Sequence, residues 1–238
     1  MSSWELYSYF YSLSLRNLFP YQQLLEDLND ALQIREGESI LDAGCGPGLV
    51  IERIVQANKE KRISVTGLDL SKRMVNRARG RCKNFNIGFL AADLNRPLGF
   101  PDSSFDKVVC SNTLYALEDP RRVLVEFHRI LKQGSALVIA NPKPNANERP
   151  LVRAHISAIN RLTPIHRKTY HIVTSILLIP IHVTVIAINR AIVQRGRSRE
   201  YHFWNKEELY RVLQEAGFRG IHIDSCYANQ DWLVTAEK

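Results

Sequence analysis

Residues 41–48 read Leu-Asp-Ala-Gly-Cys-Gly-Pro-Gly, an acid followed by three alternate glycines. Glycines at this spacing let the main chain turn tightly out of a strand and let a ligand lie almost against the backbone. The spacing selects the ligand class. A dinucleotide fingerprint G-x-G-x-x-G would put its third glycine at position 49, where Leu49 stands, and no Gly-Lys-Ser/Thr follows to complete a Walker phosphate loop. What is left is D-x-G-x-G-x-G. Two further acids, Asp69 in Gly-Leu-Asp-Leu-Ser and Asp93 in Ala-Ala-Asp-Leu-Asn, each close an apolar run. One Asp after a strand is most often a helix cap or turn former. Three acids and three glycines closing successive runs point instead to a binding cleft.

Such a cleft needs strands that end along one edge, and the pattern supplies them. Ser39–Asp42 reads as a first strand and Leu49–Ala57 as a helix. Arg62–Asp69 alternates as a second strand, after which Ser71 caps a helix running to about Asn84. Ile87–Ala92 is a third strand and Phe105–Cys110 a fourth, followed by a loop over Ser111–Glu118. Pro120 opens a helix to about Lys132, Gly134 turns the chain, and Ser135–Ala140 is a fifth strand. Regular β-α alternation predicts a parallel sheet covered by helices on both faces. Later, Asn205 caps a helix over Lys206–Ala216, with Glu208 as the capping-box partner and Gly217 as the stop. Two strands, Gly220–Tyr227 and Asp231–Ala236, then form a terminal hairpin across Ala228–Gln230. Ahead of the sheet lie an aromatic helical arm over residues 1–20 and an amphipathic helix around Tyr21–Leu32.

The arrangement resembles that of class I S-adenosylmethionine (SAM)-dependent methyltransferases, over about residues 35–142 and 203–238. The resemblance implies an α/β fold: a Rossmann-like seven-stranded sheet with an N-terminal helical arm and a helical cap inserted after strand five. Three segments follow, namely the arm at 1–34, the SAM-binding domain at 35–144 and 201–238, and the cap at 145–200. It also implies the cofactor and its contacts. Asp42, Ala43, Gly44, Cys45, Gly46 and Gly48 would surround the methionine part of SAM. Asp69, followed by Leu70, resembles the acid that binds the ribose hydroxyls. Asp93 resembles the acid that receives the adenine amino group, with Leu94 packing beside it. Ser111 and Asn112, with Leu114, would line the floor near the sulfonium, and Tyr11, beside Trp4 and Tyr7 in the arm, resembles a helix that closes over SAM. Nucleic-acid amino-methylating members carry N/D-P-P-Y/F after strand four; this chain has Ser-Asn-Thr-Leu-Tyr-Ala-Leu there, which looks like the small-molecule branch with quinone- or lipid-like acceptors.

Composition sets the outer limits. With 238 residues and 45% hydrophobic content the chain can bury a substantial core and does not read as disordered. Its four cysteines, Cys45, Cys82, Cys110 and Cys226, show neither C-x-x-C nor metal-ligand spacing, so reduced thiols, no metal and a cytoplasmic setting are expected. The opening residues lack the basic region of a cleaved signal peptide. The net charge of +8 is concentrated: residues 145–200 hold nine Lys/Arg (Arg149, Arg153, Arg161, Arg167, Lys168, Arg190, Arg195, Arg197 and Arg199) against Glu148 and Glu200, a net of +7.

The same segment contains 18 residues without a formal charge, Ile172–Asn189, counting His182 as neutral. That length touches the threshold for a membrane span. A single crossing would strand the last helix and hairpin across the membrane from the sheet they must rejoin, and Pro180 interrupts the run. Three roles remain: a helical lid over the cleft, an element lying in a membrane interface with its cations toward anionic headgroups, and a dimer contact. The first two imply a hydrophobic, even anionic, small-molecule acceptor. Cations can also signal nucleic acid, but such a patch does not normally surround an apolar stretch, so an RNA methyltransferase is the weaker reading. A SAM-binding module that docks on a membrane or partner is the alternative outside enzymology.

Methyl transfer from a sulfonium is an in-line displacement that needs alignment and a dry pocket. A base is required only where the acceptor must lose a proton. His202, just before the rejoining helix, ranks first as that base, with Tyr201 and Tyr115 beside it and His155, His166, His171 and His182 as further candidates.

Overall fold

The computed structural model describes residues 14–184, 187 and 201–238. Tyr11, with Trp4 and Tyr7, and Arg190, Arg195, Arg197 and Arg199 lie outside the described residues. Helix α1 (Phe19–Leu32) leads into β1 (Ser39–Ala43), α2 (Leu49–Ala57), β2 (Ser64–Asp69), α3 (Lys72–Arg81) and β3 (Ile87–Ala91). Then come β4 (Phe105–Ser111), a 3-10 turn at Leu114–Ala116, α4 (Pro120–Ile130) and β5 (Leu131–Pro142). Helices α5 (Glu148–Asn160) and α6 (Ile165–Leu177) follow, and α7 (Lys206–Glu215), β6 (Arg219–Cys226) and β7 (Asp231–Glu237) complete the order.

The seven strands run β3-β2-β1-β4-β5-β7-β6, parallel except for β7, which is antiparallel to both β5 and β6. Strand alternation divides the core. Leu41, Val108 and Leu137 share a register row and face α4 and α7 through Leu124, Phe127, Leu209 and Leu213. The next row, Asp42, Val109 and Val138, faces the layer of α1, α2 and α3 through Leu24, Leu28, Ile51, Ile54 and Val75. An acid therefore occupies a position whose row neighbours are Gly67 on β2 and Val109 on β4, neither of which offers it a polar side chain. The strand order reverses between β1 and β4, which puts a ligand crevice at their carboxyl ends.

Two boundaries differ from the periodicity. Helix α4 stops at Ile130 because fully buried Leu131 already pairs with Phe105 on β4, so Gly134 (φ 72°) sits inside a twelve-residue β5 whose pairing shifts register there. The apolar run of 172–189 is not one element. It breaks at Leu178, and Pro180 enters a new helical stretch at 179–184, in the first turn where a missing N–H costs nothing.

Both ends of the insertion are tied to the start of β7. On the way out, Lys143 N–H donates to Gln230 O at 2.9 Å and Asn147 N–H to Gln230 Oε1 at 2.7 Å. On the way back, Trp232 Nε1 donates to Trp204 O at 3.1 Å. Helix α7 opens on a full capping box: Asn205 Oδ1 accepts from Glu208 N–H at 2.9 Å and Glu208 Oε2 from Asn205 N–H at 3.0 Å. Asn205→Ala is expected to lower stability by about 1 kcal/mol in urea unfolding, with ligand binding unchanged because the cap lies away from the crevice.

Candidate active site

The crevice holds a cavity of about 940 Å³ lined from the ends of β1, β2, β3 and β4. The glycine turn forms its floor. Gly44 and Cys45 N–H both donate to Leu68 O, at 2.7 and 2.9 Å, pinning the turn to the end of β2. Gly44 has φ 84°, and a Cβ there would run into the Thr113 side chain, so only glycine serves. Gly46 (φ 50°) has open space where its Cβ would be, so ligand atoms can approach the backbone.

Asp69 organises this floor. Its Oδ2 accepts Gly46 N–H at 2.9 Å and its Oδ1 accepts Ser71 N–H at 2.8 Å, joining β2, the glycine turn and the start of α3. Burial raises its pKa, and the Ser71 and Gly46 N–H groups pull it back down. A carboxylate has about four acceptor sites, so lone pairs remain toward the cavity that Asp69 lines. Asp93 lines the next stretch, its Oδ1 accepting Asn95 N–H at 2.9 Å and Nδ2 at 3.0 Å. Leu70, 70% exposed, and buried Leu94 add apolar wall, while Lys72 and Arg73 bring positive charge at the start of α3.

Gly44, Cys45, Gly46, Asp69, Leu70, Asp93, Leu94, Ser111, Asn112, Tyr115 and Tyr201 all line the cavity. Asp42, Ala43 and Gly48 stand behind it. Gly48 packs on Ala78 of α3, where a Cβ would come within 2.9 Å of the Ala78 Cβ. Asp42 is 1% exposed and neither carboxylate oxygen has a partner. Burial, and then the charge of Asp69, push its pKa up to about 8. Burial also pushes the Cys45 thiol up, so no reactive thiolate forms on the floor.

Beyond the end of β4, Tyr115 is buried and its ring stacks on Phe203 (centroids 5.3 Å apart, 19° between planes), with Tyr201 at 6.0 Å. Burial raises the Tyr115 hydroxyl's pKa, with Tyr201 and Asp231 adding to the rise. His202 does not stand where a first-ranked base was expected. Side chains alternate along 201–204, so with Tyr201 and Phe203 turned to Tyr115, the His202 ring lies beside Trp204 (6.1 Å) and only its main-chain N–H, donating to Tyr115 O at 2.7 Å, supports the site. Among the described residues no histidine lines the cavity, and none of residues 145–184 does either. The described part of the cap packs on α1 rather than over the crevice. There His155 Nδ1 accepts Phe19 N–H at 3.3 Å.

Several residues at the site carry no sequence motif. Tyr21 and Asn95 line the cavity, as does Thr113, whose hydroxyl donates to Ser111 O at 3.1 Å. Asp231 opens β7 at 2% exposure, with Oδ2 unpartnered, and burial takes its pKa to about 7 against the opposing pull of the Asn112 side chain and Lys143. Its only signal is an acid heading a strand whose next three residues, Trp232, Leu233 and Val234, are apolar. Tyr21 could have been suspected as the one polar-tipped aromatic in the buried stripe of α1.

A family model described as a methyltransferase domain matches residues 34–217. The chain belongs to that family. It is 36% identical over 109 residues to the demethylmenaquinone methyltransferase of Tropheryma whipplei, a match covering 45% of this chain and 43% of the relative. It is 32% identical over 123 residues to the 27-O-demethylrifamycin SV methyltransferase of Amycolatopsis mediterranei, covering 50% and 44%. The chain thus spans less than half the length of these curated relatives. A SAM-dependent methyltransferase from Aquifex aeolicus shares the fold, with a TM-score of 0.60 at 18% identity over 89% of this chain and 88% of that one. SAM is the cofactor of this methyltransferase domain. The site fits it: two cavity-lining carboxylates can receive hydroxyl and amino donors, and the orphan Asp42 carboxyl behind the floor favours a ligand carrying positive charge.

Asp42 also gives a pH signature. Its folded-state pKa lies above the ordinary 3.8, so the native chain holds a proton that the unfolded chain releases, and this contribution to stability is lost as pH rises from 3.8 to about 8. Asp42→Asn should flatten that slope and raise stability at the alkaline end by on the order of a few kcal/mol. Urea midpoints of variant and parent across this range check it, with SAM affinity measured alongside and expected to fall.

Proposed function

We propose that this protein transfers a methyl group from SAM to an apolar small-molecule acceptor. The observation that carries the reading is one cavity with two chemically distinct halves. Glycine turn, Asp69 and Asp93 form one; the aromatic Tyr115–Tyr201 wall forms the other. Asp69 would take the ribose hydroxyls, Asp93 the adenine amino group, and Leu70 and Leu94 the faces of the base. When bound, SAM supplies an electrophilic methyl. The chain's own residues supply the rest: the glycine turn and Thr113 fix the floor, and the aromatic wall aligns an apolar acceptor and excludes water.

The acid–base inventory agrees with this division of labour. Tyr115 is neutral at physiological pH and can orient an acceptor heteroatom by hydrogen bonding, and Tyr201 stands beside it. The relatives named for demethylmenaquinone and a demethylrifamycin support an apolar acceptor. The exposed apolar surface of α6 supports reaching that acceptor at a membrane.

Isothermal titration tests the donor half. Asp69→Ala should weaken SAM binding by about 1.5–3 kcal/mol, roughly 10- to 150-fold, and Asp69→Asn, which keeps the shape, should fall in the same direction. Unchanged binding in both variants would remove Asp69 from the site. Tyr115→Leu tests the acceptor half: SAM affinity should hold while turnover of a lipophilic quinol falls.

A further inference from the structure

Helix α6 is built inside out. The face it turns toward the protein carries Lys168, His171, Thr174 and Ser175, none of which is exposed. Two of those polar groups have partners: Ser175 Oγ is 2.9 Å from His155 Nε2 of α5, and Thr174 Oγ1 donates to the main-chain Tyr170 O of its own helix at 2.9 Å. The outward face carries Ile165, Ile172, Val173, Ile176 and Leu177, between 41% and 74% exposed, and α6 has no buried residue at all. The apolar surface extends to Ile179 and Val183 beyond the helix and to Val152 and Ile156 on α5. Helices of water-soluble proteins turn the apolar stripe inward. So many exposed apolar side chains on neighbouring helices mark a surface that meets something other than water.

Charge decides what it meets. Arg149, Arg153, Arg161 and Arg167 are exposed on the same two helices and the turn between them, against Glu148 alone. Two copies packed face to face through this surface would bring eight guanidinium groups to one interface, a like-charge arrangement that costs affinity. An anionic bilayer surface answers both features, with acyl chains for the isoleucines and headgroups for the arginines. Among the described residues no helix is long and apolar enough to cross a membrane, so the contact lies in the plane of the interface.

We propose that the outer face of α5, α6 and residues 179–183 docks on an anionic lipid surface. The position suits the acceptor chemistry proposed above: α5 packs on α1, whose Tyr21 lines the cavity, so the docked face is connected to the crevice through a single helix. The docking rests on the surface itself and would stand if the acceptor were of another class.

Flotation with the full chain tests it, using vesicles of phosphatidylcholine alone and of equal parts phosphatidylcholine and phosphatidylglycerol. The parent protein should float with the mixed vesicles, and less so as salt rises. Ile172→Asp with Ile176→Asp should reduce partitioning roughly a hundredfold. Arg153→Gln and Arg167→Gln should each reduce it roughly fivefold, on mixed vesicles only. Since both isoleucines are already solvent-facing, melting temperature and SAM affinity should stay at parental values, which separates failure to dock from failure of the methyltransferase site. The proposal is overturned if the parent floats with neither vesicle, or if the Asp variants float as well as the parent. It is equally overturned if light scattering shows a vesicle-independent dimer that the Asp variants dissociate, which assigns the face to a second copy.

Discussion

One carboxylate holds the cofactor half of the molecule together. Asp69 ends β2, and its two oxygens reach the glycine turn after β1 and the first turn of α3. Without it, three main-chain segments that converge at the carboxyl edge have no common partner. The Gly46 amide would stand unpaired at the rim and the α3 start would lose an acceptor that complements its dipole. The geometry of the turn, the entry of the helix and the shape of the cavity floor all depend on a side chain that also has spare lone pairs for a ligand. Structural anchor and binding group are the same atoms.

The second constraint is electrostatic. Asp42 and Asp231 are buried without ion-pair partners among the described residues. Buried carboxyls without partners are destabilising, and both lie within electrostatic reach of Tyr21, a wall residue of the cavity. The pattern is that of a site whose stability is subordinate to what it binds: burial holds protons on these carboxyls well above the ordinary range, and a positively charged donor would draw them back toward the carboxylate form.

Much of this was legible in the chain. The cofactor half follows from local rules, because a strand, a glycine turn and a helix cap are each encoded within about ten residues, and Asp69 and Asp93 announce themselves at strand ends. Tertiary placement was not legible. His202 looked well positioned by its nearness to the rejoining helix, yet side-chain alternation turned it to the opposite side from Tyr201. Asp231 and Thr113 belong to the site only because β7 inserts between β5 and β6 and because Gly44 lacks a Cβ, facts of sheet order and packing. The cap shows the limit most plainly. Its apolar run was visible, but which side of the helix faced the protein depended on Ser175 meeting His155 and His171 lying against Phe19, contacts between helices that no spacing rule encodes.

The two ends of the insertion meet at residues 230–232, where Gln230 and Trp232 clasp the departing and returning strands of chain. A loop whose feet stand on one clasp can be lengthened, shortened or replaced without moving the strands on which the donor sits. Selection can therefore redraw the exposed apolar helices of the insertion while the glycine turn and its carboxylates are inherited intact, and the clasp at the head of β7 is the seam along which such exchange would occur.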